Sequence, residues 1–226
     1  MRPRICVSVM PRTVDEAATL QEKARRGGGD LVELRLDRMG RLTELGRFTR
    51  TGMPVIATNR SADEGGSFQG SEEERFQILL TAAQAGFDYV DIEDSTGGLK
   101  GKMEALRDFG AKIICSHHNM DSTPTPTELK RILNRNMRLN ADIYKIITTA
   151  RSPEDSLITL NFLSEASKQS RIVCFAMGEA GKISRVACPL YGSFFTVASL
   201  ERGSETAPGQ LTVEDLRTVY ARIGLD

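Results

Sequence analysis

The chain has 226 residues, with 30 basic and 30 acidic side chains and no block of five like charges. This length suffices for one large core, and the balanced charge gives no electrostatic footprint for nucleic acid or a membrane surface. No apolar run reaches the roughly 18 to 20 residues of a membrane span, and MRPRICVSVMPR enters a strand-like run without room for a signal peptide. We therefore expect a cytoplasmic protein with a small-molecule ligand and no nucleic-acid or membrane partner.

Short β-rich runs alternate with helical patterns along the chain. The predicted strands cover residues 4–10, 31–37, 54–60, 89–94, 112–118, 143–150, 171–177 and 193–200. The predicted helices cover 13–28, 71–86, 125–139, 152–167 and 212–224. The first opens with Thr13 as a candidate N-cap and Glu16 three residues on, and three of the other four open with a Ser or Thr cap followed by Glu or Asp. Alternation over eight strands predicts an α/β fold, a single (β/α)8 TIM barrel over residues 1–226.

An open doubly wound sheet is the alternative fold. Against it, no G-x-G-x-x-G follows the first strand. GEAGKIS (178–184) is not a phosphate loop, because Ile183 stands where the pattern requires a hydroxyl.

The four cysteines are far apart and lack any C-x-x-C spacing. Three of them lie inside apolar strand-like runs, so we expect reduced core thiols and neither a zinc site nor disulfides. The cysteines are Cys6, Cys115, Cys174 and Cys188.

The second strand, LVELRLD, places Glu33, Arg35 and Asp37 on one face and apolar residues on the other. If the apolar row packs on helices, Glu33 and Arg35 point into the barrel. The alternative is an edge strand with a solvated face, on which Glu33 and Arg35 form a simple salt bridge.

Polar residues also lie near the carboxyl ends of other strands, where barrel enzymes place their active sites. They are Ser8, Arg60, Glu93, His118 and Lys145. The only two histidines, His117 and His118, are adjacent and face opposite ways on a strand, so at most one serves such a site and parity does not choose between them. They cannot chelate one ion, and we expect no metal site.

Lys145 interrupts the strand-like run ADIYKIITTA (141–150). Apolar enclosure destabilises an ammonium, and a nearby Arg35 or Arg185 would lower the pKa of Lys145 further, leaving an amine that attacks a ketone. The Schiff base acidifies the neighbouring C–H, which a histidine can remove, with a carboxylate such as Glu93 on its other ring nitrogen. This chemistry suits β-elimination of water or retro-aldol cleavage. Several arginines indicate a substrate carboxylate or phosphate.

These residues resemble those of the type I 3-dehydroquinate dehydratases, the Schiff-base enzymes of the shikimate pathway. The motifs occur in the family's order: VSV, ELRLD, ATNRSADEGG, DIED, SHHNMDSTP, ADIYKI, FAMGEAGKISR and ETAPGQLTVEDL. The resemblance implies dehydration of 3-dehydroquinate to 3-dehydroshikimate without a cofactor. Members are often dimers, so it also implies a homodimer as the assembly to test.

Carried over by position, the resemblance makes Lys145 the imine-forming lysine, His118 rather than His117 the general acid and base, and Glu93 the carboxylate that orients it. The implied substrate-binding residues are Ser8, Glu33, Arg35, Arg60, Arg185, Thr206 and Gln210. Of these, Arg185 matches the arginine that binds the substrate carboxylate, and TAPGQ (206–210) matches a loop that folds over the substrate.

Three features depart from the family pattern. Asn119 and Met120 follow His118 where Asp and Phe are usual, and Thr206 replaces a common serine. The first strand begins almost at once, without a long N-terminal hairpin to close the barrel floor.

Two other functions stay open. One is a class I aldolase, against which Glu179 would repel a phosphate. The other is a non-catalytic barrel that binds a small acid.

Overall fold

The structure is a computed structural model that describes residues 2–40 and 42–225; Met1, Arg41 and Asp226, which the predicted 1–226 barrel includes, lie outside it. Eight parallel strands form a nearly closed barrel with helices between them, so the predicted (β/α)8 barrel is confirmed. The strands are β1 (Ile5–Val9), β2 (Leu31–Arg35), β3 (Val55–Thr58), β4 (Tyr89–Glu93), β5 (Lys112–His118), β6 (Ile143–Thr149), β7 (Ile172–Met177) and β8 (Thr196–Ala198).

Seven α-helices lie among the described residues. They are α1 (Val14–Arg26), α2 (Glu72–Gln84), α3 (Leu99–Arg107), α4 (Pro126–Met137), α5 (Pro153–Ala166), α6 (Lys182–Ala187) and α7 (Val213–Arg222). The predicted caps are confirmed, for example the reciprocal Ser71–Glu74 capping box of α2. Two 3₁₀ segments, Leu36–Arg38 and Leu45–Arg50, connect β2 to β3.

Helices α3 and α6 are not among the predicted helices because both begin at glycine without a side-chain cap. Three predicted strands are clearly too long: β2 ends at Arg35, so Asp37 lies in the 3₁₀ segment and not on the strand, β3 ends at Thr58, and β8 covers only Thr196–Ala198. The chain leaves the sheet after Thr58 because Arg60 turns toward ion-pair partners on β4.

The barrel floor is closed by short-range polar contacts. The first backbone N–H of β1 and that of β3 each donate to the aspartate just before the next strand, Ile5 to Asp30 (2.8 Å) and Val55 to Asp88 (2.9 Å). Under β7 and β8, the ring of Phe194 lies between the guanidinium groups of Arg4 and Arg171, 4.8 and 4.9 Å from its centroid. The aspartate contacts satisfy the first backbone N–H groups of β1 and β3, and the cation–π contacts pack the floor under β7 and β8.

The barrel has a seam between β7 and β8, which lie at the two ends of the ladder order β7-β6-β5-β4-β3-β2-β1-β8. Near the floor the two are joined by the bond from Phe194 N–H to the Ile172 carbonyl (2.8 Å). Toward the mouth α6 enters the seam: Ser184 Oγ accepts the N–H of Ala176 (2.8 Å), and Thr196 donates to the Arg185 carbonyl (2.8 Å). The seam therefore brings Arg185 into the barrel.

Gly181 at the start of α6 lets the helix approach β7 closely. A Cβ on this residue would lie 2.4 Å from the carbonyl oxygens of Ala176 and Met177. No real Cβ fits at that distance from backbone, so a side chain here would push α6 out of the seam.

Gly181→Ala should therefore destabilise the protein by about 2 kcal/mol or more. The matched control is Gly101→Ala, within α3, where a new Cβ meets nothing within 4 Å; it should stabilise by roughly 0.5–1 kcal/mol. Denaturant unfolding of both variants measures the difference. Equal free energies of unfolding for Gly181→Ala and Gly101→Ala would show that α6 does not depend on this close approach to β7.

Candidate active site

Lys145 lies in the middle of β6 and is 5% exposed. Its Nζ donates to Asp91 Oδ2 (2.8 Å) and Glu33 Oε1 (3.2 Å). Burial alone favours the neutral amine, but the two carboxylates outweigh it and raise the pKa of Lys145. The expectation of a lowered pKa for Lys145 is wrong: burial and Arg60 do lower it, but they are outweighed by carboxylates from β2 and β4 that the sequence of β6 does not reveal.

The two carboxylates are themselves held by hydroxyl groups inside the barrel. Glu33 accepts hydrogen bonds from Ser8 (2.6 Å) and Thr58 (2.9 Å), which donate from the flanking strands. Burial would raise the pKa of Glu33, but the Lys145 ammonium outweighs burial and lowers it to about 2. Glu33 is therefore ionised at neutral pH.

Asp91 sits between two cations. Its Oδ1 accepts from Ser116 (2.6 Å) and pairs with Arg60 Nη2 (2.8 Å), while its Oδ2 faces Lys145. Burial opposes ionisation, yet Arg60 and Lys145 together lower the pKa of Asp91 well below its usual range. A fixed negative charge thus lies beside the lysine nitrogen.

His118 ends β5 and contacts Glu64. Glu64 Oε2 lies 2.9 Å from His118 Nδ1 and also accepts the His118 backbone N–H (3.2 Å). Burial, with Arg60 and Lys145 nearby, lowers the pKa of His118 well below 6.5, so the imidazole is neutral at pH 7. Burial raises the pKa of Glu64 to about 7. Nε2 is the ring nitrogen left for a ligand.

The predicted contact between Glu93 and the histidine ring is wrong. Glu93 Oε1 accepts from Arg60 Nη1 (3.0 Å) and from the N–H of Ser61 (3.2 Å), and its Oε2 pairs with Arg75. Glu93 therefore anchors Arg60, and Glu64, from the loop after β3, occupies the place expected for it.

The two histidines have separate surroundings. His117 Nδ1 lies 3.1 Å from Asp94 Oδ1, and His118 rather than His117 lines the central cleft. The choice of His118 as the cleft histidine agrees with this geometry.

Arg185 is 1% exposed and its guanidinium lies 4.4 Å from the centre of the Phe175 ring. Nη2 donates to the Pro208 carbonyl (3.1 Å), and Nε has no hydrogen-bond partner within the described part of the chain. Burial, with no carboxylate close by in residues 2–40 and 42–225, lowers the pKa of Arg185 to about 10. A buried guanidinium whose Nε–H lacks a partner among the described residues can bind an anionic ligand.

The TAPGQ loop lies across the barrel mouth. Thr206 donates to Ser8 Oγ (2.9 Å) and accepts from Gln210 Nε2 (3.0 Å). The Pro208 carbonyl accepts the N–H of Gly178 (3.2 Å), and a Cβ on Gly209 would lie 2.2 Å from the Gly178 carbonyl oxygen. The loop therefore docks on the end of β7, and only glycine fits at the contact.

These groups enclose a cleft with about 540 Å³ of free space, part of it open to solvent. Eight predicted site residues line it: Glu33, Arg35, Arg60, His118, Lys145, Arg185, Thr206 and Gln210. Ser8 lies behind Glu33 and Glu93 behind Arg60. Arg35 pairs with Asp37 through two bonds of 2.8 Å.

The sequence analysis missed Asp91 and Glu64 as site residues. Asp91 lies in the same strand row as Glu93, but the β4 residue in register with Lys145, through Ser116 of β5, is Glu93, so strand register does not reveal the Asp91–Lys145 pair. Glu64 lies inside the quoted ATNRSADEGG motif, but it reaches His118 through a loop turn that strand parity does not describe.

Among the described residues, no group of three or more His, Cys, Asp or Glu side chains is arranged to hold a metal ion. Within the same residues, no helix combines the length and apolar character needed to cross a membrane.

A (β/α)8 barrel that gathers a lysine, a histidine and an arginine in one cleft at its carboxyl end has the architecture of a barrel enzyme. The family model of type I 3-dehydroquinase matches residues 5–226. A 3-dehydroquinate dehydratase of Dehalococcoides mccartyi is 42% identical over 223 residues, covering 98% of this chain and 96% of the relative. The enzyme of that name from Methanothermobacter thermautotrophicus is 37% identical, covering 99% and 98%.

Solved structures agree. The crystal structure of the 3-dehydroquinate dehydratase of Geobacillus kaustophilus has a TM-score of 0.89 at 28% identity and covers 99% of this chain and 92% of that one. That of Aquifex aeolicus has a TM-score of 0.82 at 29% identity, with coverages of 97% and 98%. The chain therefore belongs to the type I 3-dehydroquinase family. The prediction of a 3-dehydroquinate dehydratase, a carbon–oxygen lyase of the shikimate pathway, is confirmed.

The raised pKa of Glu64 predicts a pH-dependent stability. Below pH 4.5, the ordinary pKa of a glutamate, Glu64 is protonated in both the native and the unfolded protein. Between pH 4.5 and about 7 it stays protonated only in the native protein, which stabilises the fold. This contribution is present at low pH and lost as pH rises through about 7. Relative to Glu64→Gln, wild type should lose up to about 3 kcal/mol between pH 4.5 and 8.

Denaturant unfolding across this pH range gives the difference directly. Asp63→Asn, which removes an exposed carboxylate from the same turn, is the control for loss of a surface charge. If the difference in the free energy of unfolding between wild type and Glu64→Gln does not change with pH, the buried position of Glu64 is contradicted.

Proposed function

We propose that the protein dehydrates 3-dehydroquinate to 3-dehydroshikimate through an imine on Lys145. One observation carries the proposal: Lys145 Nζ, held between Asp91 and Glu33, opens into the same cleft as His118 and Arg185. A nucleophilic amine, a neutral base and an anion-binding cation are the three groups that such an elimination from a keto acid requires.

The carboxylates beside Lys145 act in two opposing ways. They stabilise the ammonium, so the lysine must pass a proton to Asp91 before its nitrogen attacks the substrate's C3 carbonyl. They equally stabilise the iminium that forms when water leaves, because it carries its positive charge at the same nitrogen. The cost of deprotonating the amine is offset by stabilisation of the cation that draws electrons from C2.

His118 then acts as base and acid. Ionised Glu64 accepts a hydrogen bond from Nδ1–H, which fixes the tautomer and leaves the lone pair of Nε2 free to remove a C2 proton. The enamine expels the C1 hydroxyl, to which the imidazolium returns the proton so that it leaves as water. Hydrolysis of the remaining iminium releases the product and regenerates Lys145.

Charge-based contacts orient the substrate. Arg185 is the partner for the substrate carboxylate, because its buried Nε lacks one within the described residues. Arg35, Arg60 and Glu33 also line the cleft, and we propose that they bind the ring hydroxyls of the substrate. Ser8, Thr206 and Gln210 hold the TAPGQ loop over the cleft, which excludes water from the imine.

An aldolase function lacks an observation that favours it. The structural likeness to a protein titled QR15, an aldolase, has a TM-score of 0.62 at 10% identity and shows the fold alone. The homodimer stays a prediction.

Borohydride added with 3-dehydroquinate should reduce the imine to a stable secondary amine. Intact mass should rise by one adduct, and peptide mapping should place it on Lys145. Lys145→Ala should lose both adduct and turnover, whereas Lys168→Ala, which removes an exposed lysine, should keep both. Substantial turnover by Lys145→Ala would rule out the imine mechanism.

Replacing the buried arginine should mainly weaken substrate binding. Arg185→Ala should raise KM by roughly 10- to 100-fold, because a charge-assisted hydrogen bond contributes about 1.5–3 kcal/mol. The KM of Arg185→Lys should lie between those of wild type and Arg185→Ala, because lysine keeps the positive charge but lacks the two parallel N–H donors of the guanidinium. Arg202→Ala, at an exposed position, is the control. An unchanged KM in Arg185→Ala would contradict the proposed carboxylate contact.

A further inference from the structure

Arg75 is a buried cation outside the cleft. It lies on α2, is 3% exposed, and its guanidinium reaches four groups, on β4, on α2 itself and in the loops after β3 and β4. It pairs with Glu93 of β4, donates to Thr96 Oγ1 (2.8 Å) and to the Asn59 carbonyl (3.1 Å), and pairs with the partly exposed Glu72 (2.9 Å). The imine mechanism gives this residue no role.

Arg75 and Asn59 are joined by two reciprocal hydrogen bonds from side chain to backbone. Arg75 donates to the backbone carbonyl of Asn59, and Asn59 Nδ2 donates to the backbone carbonyl of Arg75 (3.1 Å). Glu93, held by Arg75 at one oxygen, binds Arg60 and the Ser61 N–H at the other. Residues 59–61 are thus fixed by α2 from one side and by β4 from the other.

The segment fixed in this way continues directly into Glu64. Ala62–Glu64 form a single 3₁₀ turn, and Gly66 N–H closes the loop on the Ser61 carbonyl (2.8 Å). A Cβ on Gly66 would lie 2.0 Å from the Arg60 carbonyl oxygen, so the loop has no room to shift inward. A displacement at Ser61 therefore moves the Glu64 carboxylate relative to His118.

We propose that Arg75 is a positioning residue, which acts through Glu93 and the loop 59–64 to hold Glu64 against the ring of His118. The inference rests on the proposed function, in which Glu64 sets the tautomer of the catalytic base. Arg75 touches neither substrate nor reacting atoms, and its effect is on proton transfer rather than on imine formation.

The test is the comparison of Arg75→Met and Arg75→Lys with wild type, using 3-dehydroquinate and borohydride. The trapped adduct on Lys145 should reach the wild-type level in both variants, while kcat falls about 10- to 100-fold in Arg75→Met and less in Arg75→Lys. Glu72→Gln, which removes the outer partner and keeps the contact with Glu93, should retain wild-type kcat.

A double-mutant cycle separates positioning from a general structural effect. If Arg75 acts through Glu64, Arg75→Met should lower kcat little further when it is combined with Glu64→Gln. Additive effects, or a parallel fall of trapping and kcat, would overturn the inference. If Arg75→Met does not fold, the same cycle with Arg75→Lys decides. Absence of an adduct in wild type would instead refute the imine itself.

Discussion

The site depends on the burial of one ammonium inside a barrel. A lysine charge in the middle of a sheet is tolerated only with paired counter-charges, and Asp91 and Glu33 provide them at 2.8 and 3.2 Å. Each carboxylate then needs its own donors, which explains the hydroxyls of Ser8, Thr58 and Ser116 where a TIM barrel ordinarily packs branched aliphatic side chains. The polar middle of the barrel follows from Lys145.

The cleft is correspondingly asymmetric. Strand β2 and the loop after β3 supply carboxylates and arginines to the lining, whereas β7 and β8 supply the apolar wall of Phe175, Met177 and Val197. Arg185 enters on the apolar side through the seam filled by α6, and within the described residues it has no counter-charge there. We propose that the anionic group of the substrate binds on this side, with the rest of its ring facing the lysine and the histidine.

Much of the architecture could be predicted from the sequence, because strand parity and capping patterns are local. The row Glu33 and Arg35 and the end-of-strand position of His118 follow from alternation along single strands. Asp91 and Glu64 could not be placed, since their partners lie on other strands and the pairing depends on barrel closure. The pKa of Lys145 was misjudged for the same reason: an apolar flank within β6 says nothing about the carboxylates opposite it.

The charge state of Lys145 tests this account most directly. In protein labelled with ¹⁵N at the lysine side-chain nitrogen, the Lys145 resonance, assigned by its absence from Lys145→Gln, can be followed by NMR against pH without substrate. The account predicts an ammonium resonance that does not titrate below about pH 10.5, the ordinary lysine value. A resonance of neutral amine at pH 8 would contradict it, because two ionised carboxylates at this distance are incompatible with an uncharged nitrogen between them.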